Sequence, residues 1–376
     1  MGPGLFRLLL ATVVVIYHYS SFSLGHAAVY LFFVLSGYWV YQMWQRKYSR
    51  MRHPYLTFAI SRAWRIAPVF LLCSALACAM VWVQFHLQPT AAAVPRGAFW
   101  AVLPSVILLG YNSSWFAPLI PAWSLDIEMQ YYLIAPLLLL ALKQKPATVF
   151  ILVAATGLAF TALHGHATLA AYIPCFMAGM LAARFPGRVN GKRLVNASLV
   201  ATTLIIAAPL VVPAWRSVLL GGVDPGPLYR YNELFNVLVT LACLPFALGT
   251  VTQRSGKADQ LMADLSFSVY LFHWIPHQLV NQYFPALAKE PRFDRALALC
   301  VIFAVTYALA ALITLAVDRP ANRARGRFLH ARLGAAGGAR AEPARAPVMT
   351  PVATPVLDLT HDALAASLGT PEGEPT

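Results

Sequence analysis

Charge is what this sequence has least of: Asp, Glu, Lys and Arg together make up 11% of its 376 residues, too few to coat a water-soluble domain. Against that stand 59% hydrophobic residues and a mean hydropathy of +0.63, so the chain reads as an all-α polytopic membrane protein. Cysteine is scarce as well. The five thiols, Cys73, Cys78, Cys175, Cys243 and Cys300, all fall inside apolar runs, where they are expected as small buried hydrophobes. Their positions suggest neither a metal quartet nor a disulfide framework. Acids are half as frequent as bases, 14 against 28, leaving a net charge of +14. With no basic soluble domain to carry it, that excess argues against nucleic acid as a partner. It points instead to membrane topology, anionic headgroups and phosphorylated small molecules. The N-terminus lacks a small-residue cleavage site and its first apolar run is followed at once by a second, so it is expected to remain as the first helix. No tandem repeat is apparent.

Apolar runs of about 17–25 residues cross a bilayer as helices. Such runs occur at 5–22, 27–44, 66–86, 125–142, 147–163, 167–183, 196–213, 234–251, 263–282 and 296–317. They predict about ten transmembrane helices in one domain over 1–330. The run 98–110 is shorter and flanked by Pro95, Pro104 and Pro118, so a re-entrant or surface-lying stretch is expected there. Ten spans put both termini on one face, and that face collects 22 of the 28 lysines and arginines. Positive residues mark the cytoplasmic side, so both termini are expected in the cytoplasm. Residues 331–376 turn to Ala, Pro, Gly and Thr and are expected to form a disordered cytoplasmic tail.

Ionisable side chains inside membrane spans are expensive, which makes each one a functional candidate. Arg7 and His18 stand eleven residues apart in the first span, close to three whole turns, so they share a face about 16 Å apart along the axis. This sets Arg7 at the cytoplasmic edge and His18 about halfway through the hydrocarbon, an arrangement suited to an anionic head with a thin tail reaching inward. An imidazole, with an ordinary pKa of about 6.5, can take a proton from a hydroxyl as general base. The plainer reading of His18 is a polar group satisfied by neighbouring helices. Arg62 and Arg65, three apart at the start of the third span, share a face. Paired guanidiniums match phosphate oxygens, although positive-inside anchoring accounts for them equally. His273 is expected about ten residues into the ninth helix, as a hydrogen-bonded core histidine or a second catalytic imidazole. His277 lies one turn further, but the pair lacks the glutamate of a metalloprotease motif and no metal is expected.

The fourth span opens with Trp123-Ser124-Leu125-Asp126-Ile127-Glu128. Ser124 suits the N-cap, and Asp126 suits the positive end of the helix dipole. Glu128, with Tyr132 one turn below, can line a polar cavity and bind an acceptor hydroxyl. Ser36 and Gly37 are small residues within the second span, where close helix packing is the plainer role.

In this order and at these places the residues resemble the acyltransferase 3 family of bacterial membrane acyltransferases. Arg7 and His18 match its arginine, ten residues, histidine motif. Phe32 to Tyr38 matches its FFVLSG segment, and Arg62 to Pro68 its RxxR motif with a following proline. Trp123-Ser124-Leu125 with Glu128, Tyr132 and Pro136 matches a further block, and Ser266 to His273 its late serine, tyrosine, histidine signature. The resemblance covers about 1–325. It implies transfer of an acyl group, commonly acetyl, from cytoplasmic acyl-CoA to a hydroxyl of an extracytoplasmic glycan or glycolipid, at the bacterial inner membrane.

Acyl-CoA would be the donor substrate, with no permanently bound cofactor. Arg7, Arg62 and Arg65 would meet its phosphates, His18 and Glu128 would carry the chemistry, and Ser36, Trp123, Ser124, Tyr132 and His273 would line the pore or the acceptor site. Two departures stand out: the Asp-Gly-like lead before the first arginine is missing, and Tyr30 occupies a place where the family often has an acid. No esterase-like domain follows the last span, so a second transfer step would need a separate extracytoplasmic transferase. A proton-coupled transporter or flippase is the competing reading, but no inverted repeat of Gly/Pro-broken helices appears. A structural scaffold leaves the arginine and histidine geometry unexplained.

Overall fold

A backbone in lipid has no water to bond, so apolar segments satisfy their amides internally as helices. The computed structural model describes residues 1–87, 102–164, 168–186, 191–221, 226–283 and 292–337, and among them no strand forms. An isolated antiparallel bridge, Phe22 with Leu220, ties two connections together. The longer helices are α1 (Pro3–Tyr19), α2 (Gly25–Arg46), α3 (Pro54–Leu87), α4 (Ala122–Gln144), α5 (Pro146–His164), α6 (Leu169–Arg184), α7 (Lys192–Val211), α8 (Asn232–Thr250), α9 (Lys257–Phe272), α10 (Trp274–Tyr283), α11 (Arg292–Ile313) and α12 (Arg319–Gly337). Five stretches are long and apolar enough to cross a membrane: Pro54–Gln84, Ala122–Gln144, Lys192–Val211, Pro227–Thr250 and Leu299–Leu333. Three shorter apolar helices, Pro3–Tyr19, Pro146–Thr161 and Leu169–Arg184, accompany them.

Each expected apolar run falls on helix, but several boundaries move. α3 starts at Pro54 rather than near 66, and its 34 residues span about 51 Å. Arg62 therefore sits in its third turn and Arg65 in its fourth, not at its start. The run 263–282 is divided, with α9 ending at Phe272 and α10 opening at Trp274, so His273 stands at the break between two helices. Of the stretch 98–110, residues 98–101 lie outside the described residues. The rest makes one helical turn, Pro104–Ile107, closed by left-handed Leu108 at φ 55° and Gly110 at φ 75°. The tail expected from 331 begins as helix, because α12 runs to Gly337; its remainder lies outside the described residues. Cys73 and Cys243 are buried as expected, whereas Cys300 is exposed.

Small residues let backbones touch where side chains would hold them apart. A Cβ on Gly37 of α2 would come within 1.9 Å of Phe176 O on α6, and one on Gly179 of α6 within 1.9 Å of Val34 O on α2. These two glycines lock α2 to α6, and the expected packing role of the Ser36-Gly37 pair belongs to the glycine. Similarly, Gly4 of α1 lies against the Asp259 carbonyl of α9. The Asp259 carboxylate caps α1 by accepting the Gly4 and Leu5 amides at 3.1 and 3.0 Å, which satisfies donors that the first turn leaves unpaired. Between α4 and α6, Tyr131 stacks on Phe176 at 3.9 Å between ring centroids. These contacts set which faces of α1, α2, α4 and α9 look at one another.

Candidate active site

Along α2, Val29, Phe32, Phe33, Ser36, Val40 and Met43 recur at helical spacing and line one cavity of about 290 Å³. The fourteen steps from Val29 to Met43 rise about 21 Å, so the cavity is a channel along the helix axis. Its other walls bring Arg7 from α1, Arg62 and Arg65 from α3, Glu128 and Tyr132 from α4, Tyr270 from α9 and Arg325 from α12. Four guanidiniums thus face one carboxylate, Glu128, across a small volume.

The arginines are held differently. Arg62 is buried, donates to Tyr48 Oη and Met43 Sδ at 3.3 Å each, and lies 5.8–6.0 Å from the rings of Tyr48, Phe58 and Tyr132. Arg65 donates to Asp318 Oδ1 at 2.7 Å and lies 4.9 Å from the Phe267 ring. Among the described residues, it is the one of the four with a carboxylate at ion-pair distance. The Nε atoms of Arg62 and Arg325 are buried and have no acceptor among the described residues. Buried donors of this kind ask for an oxyanion.

Asp318 and Arg325 were not singled out in the sequence. Seven residues separate them, two helical turns, so Asp318, just before α12, and Arg325 within it fall on one face turned towards α3. The π turn Thr314–Asp318 ends on Asp318 and leads into α12. It takes one residue more than an α turn and rotates everything after it by about 100°, a shift no apolar pattern announces.

Glu128 Oε1 accepts from Ser36 Oγ at 2.6 Å and from Tyr132 Oη at 2.5 Å. The expected one-turn pairing with Tyr132 is present, and Ser36 joins it. Glu128 lines a polar cavity as expected, and that cavity is the one the arginines share. Ser124 is not a cap, since α4 begins at Ala122 with Pro121 before it. Its hydroxyl lies 2.6 Å from Tyr270 Oη and donates to Pro121 O. Asp126, expected to serve the helix dipole, is fully buried and accepts from the Gly110 and Asn112 amides at 3.1 and 2.9 Å. It pins the 108–114 loop to α4.

His18 lies outside the lining of that cavity. α1 ends at Tyr19, so His18 stands in its last turn. Its ring lies 5.2 Å from His273, 5.2 Å from Trp274 and 5.9 Å from His277. His273 is fully buried, with Nδ1 3.2 Å from Val269 O and a carbonyl that accepts from Tyr19 Oη. The structure therefore unites Arg7, Arg62, Arg65, Glu128, Ser36, Ser124 and Tyr132, and gathers His18 and His273 in a separate cluster. Trp123 belongs to neither; its ring neighbours are Tyr172, Phe33 and His26.

The family model described as an acyltransferase domain, acyltransferase 3, matches residues 3–315. No curated protein and no solved structure matches the chain. The matched stretch runs from the first residue of α1 into the π turn, and holds every residue of both clusters except Asp318 and Arg325. A match of that extent decides the matter: the chain belongs to the acyltransferase 3 family and is a membrane acyltransferase.

Proposed function

We propose that the protein moves an acyl group, acetyl in the first instance, from cytoplasmic acyl-CoA to a hydroxyl of an extracytoplasmic glycan or glycolipid. The observation that carries this reading is the channel along α2, where four arginines face a single carboxylate. A ligand for such walls is polyanionic at one end and slender at the other, as an acyl thioester of a phosphorylated carrier is. In this reading the protein has about ten spans in a bacterial inner membrane with both termini in the cytoplasm, and the positive-inside count supports the arginine end lying there. Arg7, Arg62, Arg65 and Arg325 hold phosphate oxygens. Glu128, oriented by Ser36 and Tyr132, receives an amide of the donor's arm.

His18, at the far end of α1, takes the proton from the acceptor hydroxyl. The oxygen attacks the thioester carbonyl, the carbon–sulfur bond breaks, and the thiolate leaves to be protonated. A base in that position is worth roughly 100- to 10,000-fold in rate.

Purified protein in liposomes, supplied with labelled acetyl-CoA, tests the reading. Free CoA should be released as acyl groups reach an acceptor, and His18→Ala should keep CoA binding while losing transfer. A proton-coupled transporter would leave the thioester intact, and that outcome would sink the proposal.

A further inference from the structure

A second polar pair stands at the other end of α2 from the arginines. His26, the second residue of α2, and Glu233, the second residue of α8, meet with Nδ1 and Oε2 2.6 Å apart. An ionised carboxylate only accepts, so Nδ1 carries the hydrogen and Nε2 is left for a ligand. Tyr30 Oη donates to the other carboxylate oxygen, which leaves Glu233 braced from two sides. The helix starts beneath the pair are tied together. Asn236 Oδ1 accepts the Ala27 amide at 2.8 Å, and Asn236 Nδ2 and Asn232 Nδ2 donate to Ser23 O at 3.0 and 2.9 Å. The pair is nonetheless open, with 41% of the His26 side chain and 36% of the Glu233 side chain exposed. A braced, accessible imidazole–carboxylate pair is arranged for a ligand rather than for the core.

Aromatic rings flank it. The Trp123 ring centroid lies 6.3 Å from that of His26 and 5.5 Å from that of Tyr172, and Tyr172 lies 5.9 Å from Tyr30. Phe33, which lines the arginine channel, reaches the same group at 5.3 Å from Tyr172. Val29, at the end of the channel, is three residues from His26 and therefore on the same face of α2.

We infer that His26 and Glu233, with the Trp123 and Tyr172 rings, form the subsite for the sugar that receives the acyl group. This rests on the acyl-transfer reading above. A pyranose has an apolar C–H face that fits an aromatic ring and a rim of hydroxyls that need acceptors and donors in fixed places. Rings beside a braced polar pair supply both. Here His26 Nε2 meets a sugar hydroxyl, while the continuity through Phe33 and Val29 brings the sugar to the acyl end of the donor. The base remains His18, whose neighbour Tyr17 lies 5.9 Å from the His26 ring.

The test uses the full chain in neutral detergent, with acetyl-CoA as donor and a panel of methyl hexopyranosides as acceptors. It reads CoA affinity, tryptophan fluorescence on glycoside titration, and acetylated product. Wild type should give a saturable glycoside response. Glu233→Gln and His26→Gln should raise the glycoside KM about tenfold or more with CoA affinity unchanged, the loss expected for hydrogen bonds to charged or oriented groups. CoA affinity doubles as the check that each variant is folded. Where one of the pair is not, Trp123→Leu on a different helix asks the same question.

Unchanged glycoside KM in folded variants overturns the subsite, as does the absence of any glycoside response in wild type that binds CoA. Competition by tetramethylammonium in place of glycosides would make the rings a cation cage instead. Loss of CoA binding by wild type would strike the acyl-transfer reading itself, a different result from any of these.

Discussion

At the scale of single residues, the arginines divide by what holds them. Arg65 is neutralised by Asp318, whereas Arg62 sits among aromatic rings with a buried, unpartnered Nε. Arg62 is therefore the stronger candidate for direct contact with the donor. Arg62→Lys keeps the charge and loses the planar set of donors, so CoA affinity should fall about tenfold; an unchanged affinity by calorimetry would return Arg62 to a topological anchor. Arg325→Gln should weaken CoA in the same way, while Arg327→Gln, on an exposed residue of the same helix, should not. The Tyr30 departure from the family pattern also takes on meaning here. The residue is not an acid, yet its hydroxyl bonds to one, Glu233, supplied by α8.

At the scale of elements, the α2–α6 contact governs the channel, because α2 carries one whole wall of it. Gly37 has no room for a Cβ, since the nearest atom is backbone and cannot swing away. Gly37→Val should lower the unfolding midpoint in detergent by an amount equivalent to at least 1–3 kcal/mol, roughly the cost of overpacking. Donor binding should weaken with it. A midpoint equal to wild type would mean that the two helices do not pack this closely. Ser36, one residue earlier, points into the channel, so Ser36→Ala should leave the midpoint near wild type, as a single part-buried hydrogen bond is worth about 1 kcal/mol. The π turn before α12 belongs to this scale too, because it sets the rotation of the helix that carries Arg325.

At the scale of the whole molecule, the arginine channel and the histidine cluster sit towards opposite ends of α1, with Arg7 in its second turn and His18 in its last. On the proposed reading, donor and acceptor approach from opposite faces. In intact cells a Ser113→Cys variant should react with an impermeant thiol reagent from outside, and a Gly191→Cys variant should not. Reversed labelling would undo the outward direction of transfer while leaving membership of the family intact. Ser113 suits the experiment because Asp126 holds its loop to the start of α4.

Composition and short-range pattern alone determined the all-helical membrane class, the positions of the apolar segments, the family, and the fact that Arg62 and Arg65 share a face. Each rests on residues within about three turns of one helix, or on the order of such short motifs along the chain, and a 3.6-residue period reports near neighbours directly. The tertiary structure decided which faces meet. Arg65 finds Asp318 at a separation of 253 residues, and His26 finds Glu233 at 207. Helical periodicity carries no information about partners so far away. It likewise could not show that Glu128 joins the arginines while His18 joins His273, because that depends on how glycine contacts between backbones set the rotation of each helix against the next.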